Sequence, residues 1–435
     1  MKNSILVLTT ILFVVLVEAS LLYINQVEWR MAESEPNTNH LEWATKWGGT
    51  GYDNAKSVAL SDGSIYVAGT TRSYGKGLSD IFLLKYNNKG ELAWNSTWGG
   101  LSYDGCWTTA ADSEGIYVAG FTYTVGNQNA NAVLLKYNSS GELLWSRTWG
   151  GSDDAVARGV VIDGKGAIYV AGYFRGTTTT TKSFLLKYHQ DGNLIWGRTF
   201  GGEGVNAFAV GVSDGVYVDG TNETIEDNMY RSTMFMTKFD PSGSILWNRQ
   251  WGNGPLNYCW SITVNGDNIY QAGTTSNNSS NSDAVLLSYD SSGKMRFNVT
   301  WGKTEEEYAW GVTWINNFIY ITGHIYNESK LGFDSLLLKF TSDGTQIWNT
   351  TWRDKSVDVG HSVAIVGNDV YVTGISTDQS QNAQVFLLKY ISANSVTSSI
   401  ASLTAAVASA IGVVTLTAAV VKLLEHKSNP KKSEN

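Results

Sequence analysis

The stretch from Trp47 to Trp98 reads WGGTGYDNAKSVALSDGSIYVAGTTRSYGKGLSDIFLLKYNNKGELAWNSTW, and close variants of it follow one another along most of the chain. Its W-G-G motif recurs at intervals of 51, 51, 51, 51, 50 and 51 residues, beginning at Trp47, Trp98, Trp149, Phe200, Trp251, Trp301 and Trp352. An IYVAG-like motif recurs in register and ends at Gly69, Gly120, Gly172, Gly220, Gly273, Gly323 and Gly374. A fixed period of this length indicates a repeat architecture, so the chain contains seven copies of one unit.

Each unit contains four short runs rich in β-branched and aromatic residues. In the first unit these runs are Ala55–Leu60, Ile65–Thr70, Ile81–Tyr86 and Leu92–Trp98. Turn-forming residues separate them, as in Ser-Asp-Gly at 61–63, which predicts antiparallel hairpins. Four antiparallel strands in about 50 residues make one propeller blade. The sequence therefore predicts an all-β fold, a seven-bladed β-propeller of four-stranded blades.

The two ends of the repeat region predict how the ring closes. The seventh unit ends with its third strand, Val385–Tyr390, and lacks a fourth. An additional copy of the fourth strand, Leu41–Trp47, precedes the first unit. Pairing of the N-terminal and C-terminal strands would leave no open sheet edge.

Most tryptophans belong to this scaffold. Twelve of the 17 Trp occupy two positions of the fourth strand, such as Trp94 and Trp98. We expect them to fill the space between adjacent sheets. Truncation such as Trp98→Ala should then cost about 3–5 kcal/mol.

The unit W-G-G-x-x-x-D-x-A … IYVAG-x-T … D-x-F-L-L-K-Y-N-x-x-G resembles the family of beta-propeller repeats called SBBP repeats. The resemblance covers about Leu41–Tyr390. It implies the propeller fold and a setting that is typically extracellular or attached to the surface of bacteria and archaea. It implies no particular activity and carries over no catalytic residues, so function has to be argued from the site.

Composition narrows the classes of function. The chain has 435 residues and a net charge of −8 without long charged runs, which argues against a nucleic-acid partner. Its two cysteines, Cys106 and Cys259, occupy equivalent positions in units two and five. We expect both to be buried free thiols, too far apart for a disulfide. No metal-ligand spacing, cofactor motif or catalytic motif occurs, so the sequence predicts a protein that is not an enzyme.

Apolar segments at both ends predict a membrane tether. Residues 1–31 read as a signal peptide or an N-terminal anchor, and residues 32–40 as a linker. The propeller spans 41–390, and a short linker covers 391–399. Residues 400–424 predict a transmembrane helix, because 400–421 carry no charged side chain, and the basic tail 425–435 should stay in the cytoplasm. The predicted location is the cell membrane, single-pass, with the propeller outside.

Blade topology predicts which face is free. The connections from fourth to first strand and from second to third strand share one face, and both apolar segments leave from the other. The first face should therefore point away from the membrane. The second-to-third connections on it are the most varied part of the unit, for example 71–79, 173–182, 222–232 and 324–332. Binding often resides in varied loops on a rigid scaffold, although unselected drift explains the variation equally well.

One position of the innermost strand differs strongly among the units. It holds Lys56, Trp107, Arg158, Ala209, Trp260, Trp310 and His361, and its neighbours are mostly small. Of these, Lys56, Trp107, Arg158, Trp260, Trp310 and His361 are the candidate ligand-binding residues. Aromatic and polar side chains beside a channel could stack a sugar ring or hold a peptide. Alternatively, the bulky side chains simply fill the channel.

An acid or amide stands three residues before most of these positions. The set comprises Asp53, Asp104, Asp154, Asn206, Asn257, Glu307 and Asp358. Such side chains can accept backbone N–H groups and fix the turn into the first strand. The alternative is a ring of oxygen ligands for a cation such as Ca²⁺.

Three functional hypotheses follow. The first is a non-enzymatic surface protein that binds a glycan, a peptide or a cell-envelope protein at the membrane-distal face and channel mouth. The second is a surface-anchored propeller hydrolase or lyase, which a convergent cluster of carboxylates or a His pair would favour. The third is a purely structural component of the cell envelope.

Overall fold

The computed structural model describes residues 40–391 except 125, 127–128, 152, 176–180, 227–228, 253, 277–280 and 303–305. The described chain is all-β, with 28 strands and a short 3-10 helix at Glu328–Lys330. The predicted all-β architecture of four-stranded sheets is confirmed, and the fold is propeller-like.

The strands form four-stranded antiparallel groups, which we number as sheets in chain order. Sheet 1 contains β2 (Asp53–Ser61), β3 (Ser64–Thr71), β4 (Asp80–Tyr86) and β5 (Leu92–Trp98). Sheet 2 contains β6 (Asp104–Asp112), β7 (Gly115–Tyr123), β8 (Ala130–Tyr137) and β9 (Leu143–Trp149). Sheet 3 contains β10 (Asp154–Ile162), β11 (Ile168–Arg175), β12 (Thr181–Tyr188) and β13 (Leu194–Phe200). Sheet 4 contains β14 (Val205–Val212), β15 (Val216–Glu226), β16 (Met229–Phe239) and β17 (Ile245–Trp251).

The remaining strands continue the pattern. Sheet 5 contains β18 (Leu256–Asn265), β19 (Asn268–Ser276), β20 (Ser282–Tyr289) and β21 (Met295–Trp301). Sheet 6 contains β22 (Glu307–Ile315), β23 (Phe318–Asn327), β24 (Gly332–Thr341) and β25 (Gln346–Trp352). Sheet 7 contains β26 (Val357–Val366), β27 (Asp369–Thr377), β28 (Ala383–Ile391) and β1 (His40–Trp47). One parallel bridge, Phe333↔Val357, links sheets 6 and 7 into a single hydrogen-bonded network.

The first and last strands of the repeat region pair with each other. Strand β1 runs antiparallel to β28, from the pair His40↔Ile391 to the pair Trp47↔Val385. This is the pairing that the missing fourth strand of the seventh unit predicts. It supplies β28 with the neighbour that its outer edge would otherwise lack.

Local turn chemistry explains why each run of β-formers folds back on its predecessor. In the turn between β2 and β3, Asp62 and Gly63 both have positive φ, 48° and 69°, as a two-residue hairpin of this hand requires. Between β4 and β5, the side-chain oxygen of Asn87 accepts the backbone N–H groups of Lys89 and Glu91, both at 3.0 Å. The turn residues therefore fix the register of each sheet.

Adjacent sheets pack through the repeated aromatic positions. The ring centres of Trp47 and Phe82 of sheet 1 are 4.7 Å apart, and those of Trp149 and Phe184 of sheet 3 are 4.5 Å apart. In four units the first tryptophan of the pair also bridges sheets through its indole N–H; that of Trp94, for example, donates to the Ser139 carbonyl at 3.2 Å. The prediction that these tryptophans fill the space between sheets is confirmed. We call the fourth-strand tryptophans together the outer tryptophans.

Apolar clusters join each sheet to the next. Sheet 1 packs on sheet 2 around Leu83 and Val118, and the later sheets follow in the same way to sheet 7. A further cluster joins sheet 7 to sheet 1, where Val385 and Leu387 pack with Phe82 and Leu84. The core therefore lies between sheets.

The two cysteines lie in this core and are free, as predicted. Cys259 belongs to a buried polar cluster between sheets 4 and 5, where its thiol donates to Asp219 Oδ2 at 3.0 Å. The side chain of Gln271 donates to the Phe235 carbonyl at 3.1 Å in the same cluster. Burial raises the pKa of Asp219 to about 6, against the hydrogen bonds from Cys259 and Gln271 that lower it.

The predicted membrane segments lie outside the described residues. These are the signal peptide or anchor at 1–31 and the transmembrane helix at 400–424. Within the described chain, no helix is long and apolar enough to span a bilayer.

Candidate functional site

Every innermost strand carries the same irregularity near its start. The pairing with the second strand skips one residue in each sheet, for example between Ala55 and Ser57. The skipped residues are Lys56, Trp107, Arg158, Phe208, Trp260, Trp310 and His361. A β-bulge leaves one residue unpaired and re-aims its side chain. These seven residues, which we call the axial ring, all line one cavity of about 190 Å³.

The repeat sequence explains the bulges. The glycine that ends each IYVAG motif lies directly against the backbone before the bulge, so that a Cβ on Gly69 would be 2.1 Å from the Asn54 carbonyl oxygen. At the six equivalent glycines, the corresponding distance is between 1.6 and 2.0 Å. Because no side chain fits at that distance, only glycine allows this approach. The glycine is therefore part of the scaffold that presents the bulged residue.

One half of the axial ring is cationic. His361 Nδ1 donates to the Ala55 carbonyl at 2.9 Å, which leaves Nε2 to accept Lys56 Nζ at 3.5 Å. Lys56 Nζ lies 5.0 Å from the centre of the Trp107 ring. The Arg158 guanidinium stacks on Trp107 at 3.5 Å and lies 4.7 Å from Phe208. We call Lys56, Trp107 and Arg158 the cationic arc.

The other half is aromatic. Phe208 stacks on Trp260 with ring centres 5.1 Å apart, and Trp260 lies 4.6 Å from Trp310. Trp310 meets His361 edge-on at 5.8 Å, which completes a continuous circuit of seven side chains. The Trp310 indole N–H donates to His324 Nδ1 at 3.0 Å. We call Phe208, Trp260 and Trp310 the aromatic arc.

Burial shifts the titration of the basic groups. Burial, and then the charge of Arg158, lower the pKa of Lys56 to about 7. Burial alone lowers the pKa of His324 to about 4, and burial followed by the charge of Lys56 lowers the pKa of His361 well below its usual range. Burial lowers the pKa of Arg158 from 12.5 to about 10, so this side chain remains charged at pH 7. Both histidines are thus neutral at pH 7.

All six candidate residues belong to the axial ring, and the seventh position requires a correction. The constant spacing assigned Ala209 to unit four, but the bulged residue is Phe208. Unit four has one residue fewer between Phe200 and its inner strand. The same offset places Val205, rather than Asn206, at the position equivalent to Asp53. The available signal was the small-x-small pattern Ala-Phe-Ala at 207–209.

The acids and amides that recur among the units fix turns. Asp53 accepts the Gly49 backbone N–H at 2.8 Å and the hydroxyls of Thr71 and Ser73 at 2.5 and 2.6 Å. Asp358 accepts the backbone N–H groups of Asp354 and Lys355 at 2.9 and 3.0 Å. The turn-fixing interpretation is therefore supported by the geometry at these positions. Among the described residues, no group of three or more acidic, His or Cys side chains is placed to hold a metal ion.

In sheets 4 and 6, the second and third strands are longer than those of the other sheets. In sheet 4 the β15–β16 hairpin continues to Glu226 and Met229, and in sheet 6 the β23–β24 pair continues to Asn327 and Gly332. Their tips carry exposed apolar side chains, with Ile225 76% and Leu331 78% exposed. These tips add to the face on which the inner strands begin.

A larger cavity of about 320 Å³ lies against sheet 4, beside the end of β13 of sheet 3. It is lined by Phe200, the one phenylalanine among the seven W-G-G positions, and by Phe235, Ile245 and Asn248. We regard the axial ring as the candidate site because its cations and indoles converge there.

Comparisons with known proteins concern the fold. A family model described as "Domain of unknown function (DUF5122) beta-propeller" matches residues 60–92. This short match supports a propeller fold. It does not confirm the resemblance to the SBBP repeat family. No curated protein sequence matches the chain.

Several solved structures are similar to this chain at low sequence identity. The beta-propeller domain of the Trilobed protease from Pyrococcus furiosus has 9% identity and a TM-score of 0.46, covering 79% of this chain and 94% of that one. A periplasmic gluconolactonase from Pseudomonas aeruginosa has 12% identity and a TM-score of 0.45, covering 70% and 87%. A polysaccharide lyase has 10% identity and a TM-score of 0.48, covering 81% and 99%. At these values, the likenesses carry no information on the activity of this chain.

Proposed function

We propose that this protein is a non-enzymatic binding module that holds a ligand in the axial ring. The observation that carries the proposal is the ring itself, in which seven side chains of five residue types stand at one structurally equivalent bulge. Packing between sheets does not explain this variety, because the outer tryptophans, which make those contacts, repeat almost without change. An aromatic surface beside a few fixed polar groups suits a glycan or a peptide.

The proposal includes the architecture. The seven sheets would form a closed seven-bladed propeller of the SBBP type, with sheet 7 shared between the two ends of the repeat region. The β1–β28 pairing and the apolar cluster between sheets 7 and 1 support this reading. In such a ring, the bulged residues would surround the central channel.

The proposed setting is the cell surface. A transmembrane helix at 400–424 would tether the propeller outside the cell with the tail 425–435 in the cytoplasm, and a glycan, peptide or envelope protein would be the partner. The length and apolarity of that segment support the proposal. Protease added to intact cells should remove the propeller and leave a membrane-bound fragment. Protection of the propeller would contradict this orientation.

A second candidate function has one observation in its favour. Lys56 and His361 are in contact at 3.5 Å, and the pKa of Lys56 is about 7, so an uncharged amine is available as a base near neutral pH. A hydrolase or lyase would then show a rate that rises with pH through about 7 and is lost in Lys56→Met. Bound ligand recovered unchanged after prolonged incubation favours the binding module.

The binding module is tested on the full chain in detergent. Glycan and peptide arrays would be probed with the natural protein and with Trp107→Ala, Trp260→Ala and Trp310→Ala. Tyr103→Ala serves as the control, because this aromatic residue is exposed outside the ring. We expect a ligand whose binding is lost in the three ring variants and kept in the control, with cooperative unfolding throughout. No ligand at all would favour the purely structural role, and binding indifferent to the ring would move the site to the loops.

A further inference from the structure

The axial ring contains more hydrogen-bond donors than acceptors. Its acceptor on the cationic side, His361 Nε2, is already engaged by Lys56. The Arg158 guanidinium rests between the faces of Trp107 and Phe208, and no described residue accepts a hydrogen bond from it or forms an ion pair with it. Arginine carries five N–H donors, so most of its hydrogen-bonding capacity is unused by the protein.

The positive charge is also unbalanced. None of the described residues that line the cavity is acidic. Lys56 and Arg158 lie against the same indole, that of Trp107, and Arg158 is one cause of the low pKa of Lys56. Half-buried cations that repel each other are unfavourable for folding unless something else compensates for them.

Two indoles of the ring add to the excess of donors. The N–H groups of Trp107 and Trp260 are buried and have no acceptor in the described part of the chain. Trp310 differs, because His324 accepts its N–H. A buried donor without an acceptor is costly, so these two N–H groups add to the unfavourable polarity around the cavity, although their atoms are not exposed to it.

The aromatic arc restricts what else the ligand contains. Phe208, Trp260 and Trp310 line the cavity and are half-buried, but they also pack against one another, so they offer the ligand only a limited apolar surface. A ligand complementary to the whole site would carry oxygen acceptors and a negative charge, with a small apolar part beside the aromatic arc. The cavity of about 190 Å³ is smaller than the usual pocket of a drug-sized molecule, which favours one small unit.

We propose that the axial ring binds an acidic sugar, with its carboxylate held by Lys56 and Arg158 and its ring packed against the aromatic arc. This inference rests on the proposed binding function and specifies its ligand class. The planar guanidinium fork matches the two oxygens of a carboxylate. The part of the aromatic arc that lines the cavity supplies the contact with the sugar ring, and the mostly polar remainder of the wall suits its hydroxyl groups.

The site predicts a coupling between binding and proton uptake. The titratable groups that face Lys56 are His361, Arg158 and Cys106. The pKa of His361 is well below its usual range, that of Arg158 is about 10, and that of Cys106 is raised to about 12 by burial. Of these groups, only Lys56 changes charge between pH 6 and 9. A bound carboxylate favours its charged form, so the affinity should fall as pH rises through 7.

The test is calorimetric titration of the full chain in detergent at low salt. The probes are glucuronate, glucose and inorganic phosphate, each at pH 6 and pH 8.5. Glucose matches glucuronate except for the carboxylate. The variants are Lys56→Met, Arg158→Gln and Trp260→Leu, with Lys76→Met as the control because Lys76 is an exposed lysine of sheet 1's second-to-third connection.

We expect glucuronate to bind at least about tenfold more tightly than glucose and to lose about tenfold or more in Lys56→Met and Arg158→Gln. It should bind more tightly at pH 6, and Lys56→Met should abolish that dependence while Lys76→Met keeps it. Equal affinity for glucose, or equal losses in the two lysine variants, would overturn the carboxylate assignment and leave the binding module intact. Phosphate that matches glucuronate, with no loss in Trp260→Leu, would show a site for simple anions and overturn the sugar assignment. Failure of all three probes, together with empty arrays, would overturn the binding function itself.

Discussion

The outer tryptophans and the axial ring come from the same seven repeats, but they differ in how strictly they repeat. The second outer position is tryptophan in six units and phenylalanine in one, whereas the bulge holds lysine, arginine, histidine, phenylalanine and three tryptophans. Both positions carry large aromatic residues, so size alone does not separate them. A position that packs one sheet on the next is constrained in every unit, and a position that lines the cavity is free to differ. The difference teaches that tryptophan content alone identifies neither scaffold nor site.

The largest expected effect separates the two positions directly. Trp149→Ala removes the contact with Phe184 between sheets 2 and 3 and should lower the free energy of unfolding by about 3–5 kcal/mol. Trp260→Ala, in the ring, should cost less than about 2 kcal/mol because that side chain faces a cavity. Denaturant titration followed by tryptophan fluorescence measures both. Equal losses would mean that the ring is also structural.

A second prediction concerns Asp219, where unit four departs from the repeated sequence. The IYVAG motif reads VYVDG in unit four, and its Asp219 is buried with a pKa raised to about 6 from an ordinary value near 3.8. Because the folded state binds this proton more tightly than the unfolded state, the contribution of Asp219 to the free energy of unfolding is fully present below pH 4. It is lost as pH rises through 6 and the buried carboxyl ionises. Asp219→Asn should therefore remove that fall and gain about 3 kcal/mol at pH 7–8.

The control for this prediction is Asp62→Asn, in an exposed turn where asparagine tolerates the positive φ. It should change the free energy of unfolding by less than about 0.5 kcal/mol at any pH. A stability profile of Asp219→Asn that still falls between pH 4 and 6 would assign the pH dependence to other groups.

A third prediction tests whether the buried Lys56 lowers the free energy of unfolding. Because the pKa of Lys56 is lowered from 10.5 to about 7, its contribution to stability is present at high pH and is lost as pH falls toward 7. Lys56→Met should raise the free energy of unfolding by about 0.5–2 kcal/mol, more at pH 6 than at pH 9. Thermal unfolding at both pH values is the measurement. A loss of stability at pH 6 would mean that the ammonium is well solvated or paired.

The smallest effect belongs to the turns that join first and second strands. Gly63 has φ of 69°, and nothing lies within 4 Å of a Cβ placed on it. Gly63→Ala should therefore cost only the strain of the left-handed backbone, about 1 kcal/mol. Denaturant titration would detect it. A much larger loss would show that the hairpin is more tightly constrained than its open surroundings indicate.

The sequence predicted the scaffold better than the site. Strand positions and the β1–β28 pairing follow from hydrophobic runs, turn residues and the missing last strand, all of which are local signals. The bulge is harder to predict, because alternation in an inner strand does not reveal one unpaired residue. Phe208 was missed for this reason, since a one-residue shortening before it shifts the count.

Other features depend on partners distant in sequence. The contact between Lys56 and His361 joins the first unit to the seventh, and their lowered pKa values depend on burial that no motif shows. Asp219 likewise reads as an ordinary polar residue in a strand. Its environment comes from Cys259 and Gln271 of the next sheet.

The pairing of β1 with β28 also determines how the protein responds to mechanical load. The outermost pair of that seam is His40↔Ile391, so the chain enters and leaves the described fold at neighbouring positions. Tension that pulls these ends apart loads the seam one hydrogen-bonded pair at a time, which is the weak direction of an antiparallel ribbon. Tension that pulls both ends in the same direction leaves the seam unloaded. Force applied between the two tails would therefore peel β1 away before any other strand and uncover the edge of β28, while the remaining sheets keep their contacts.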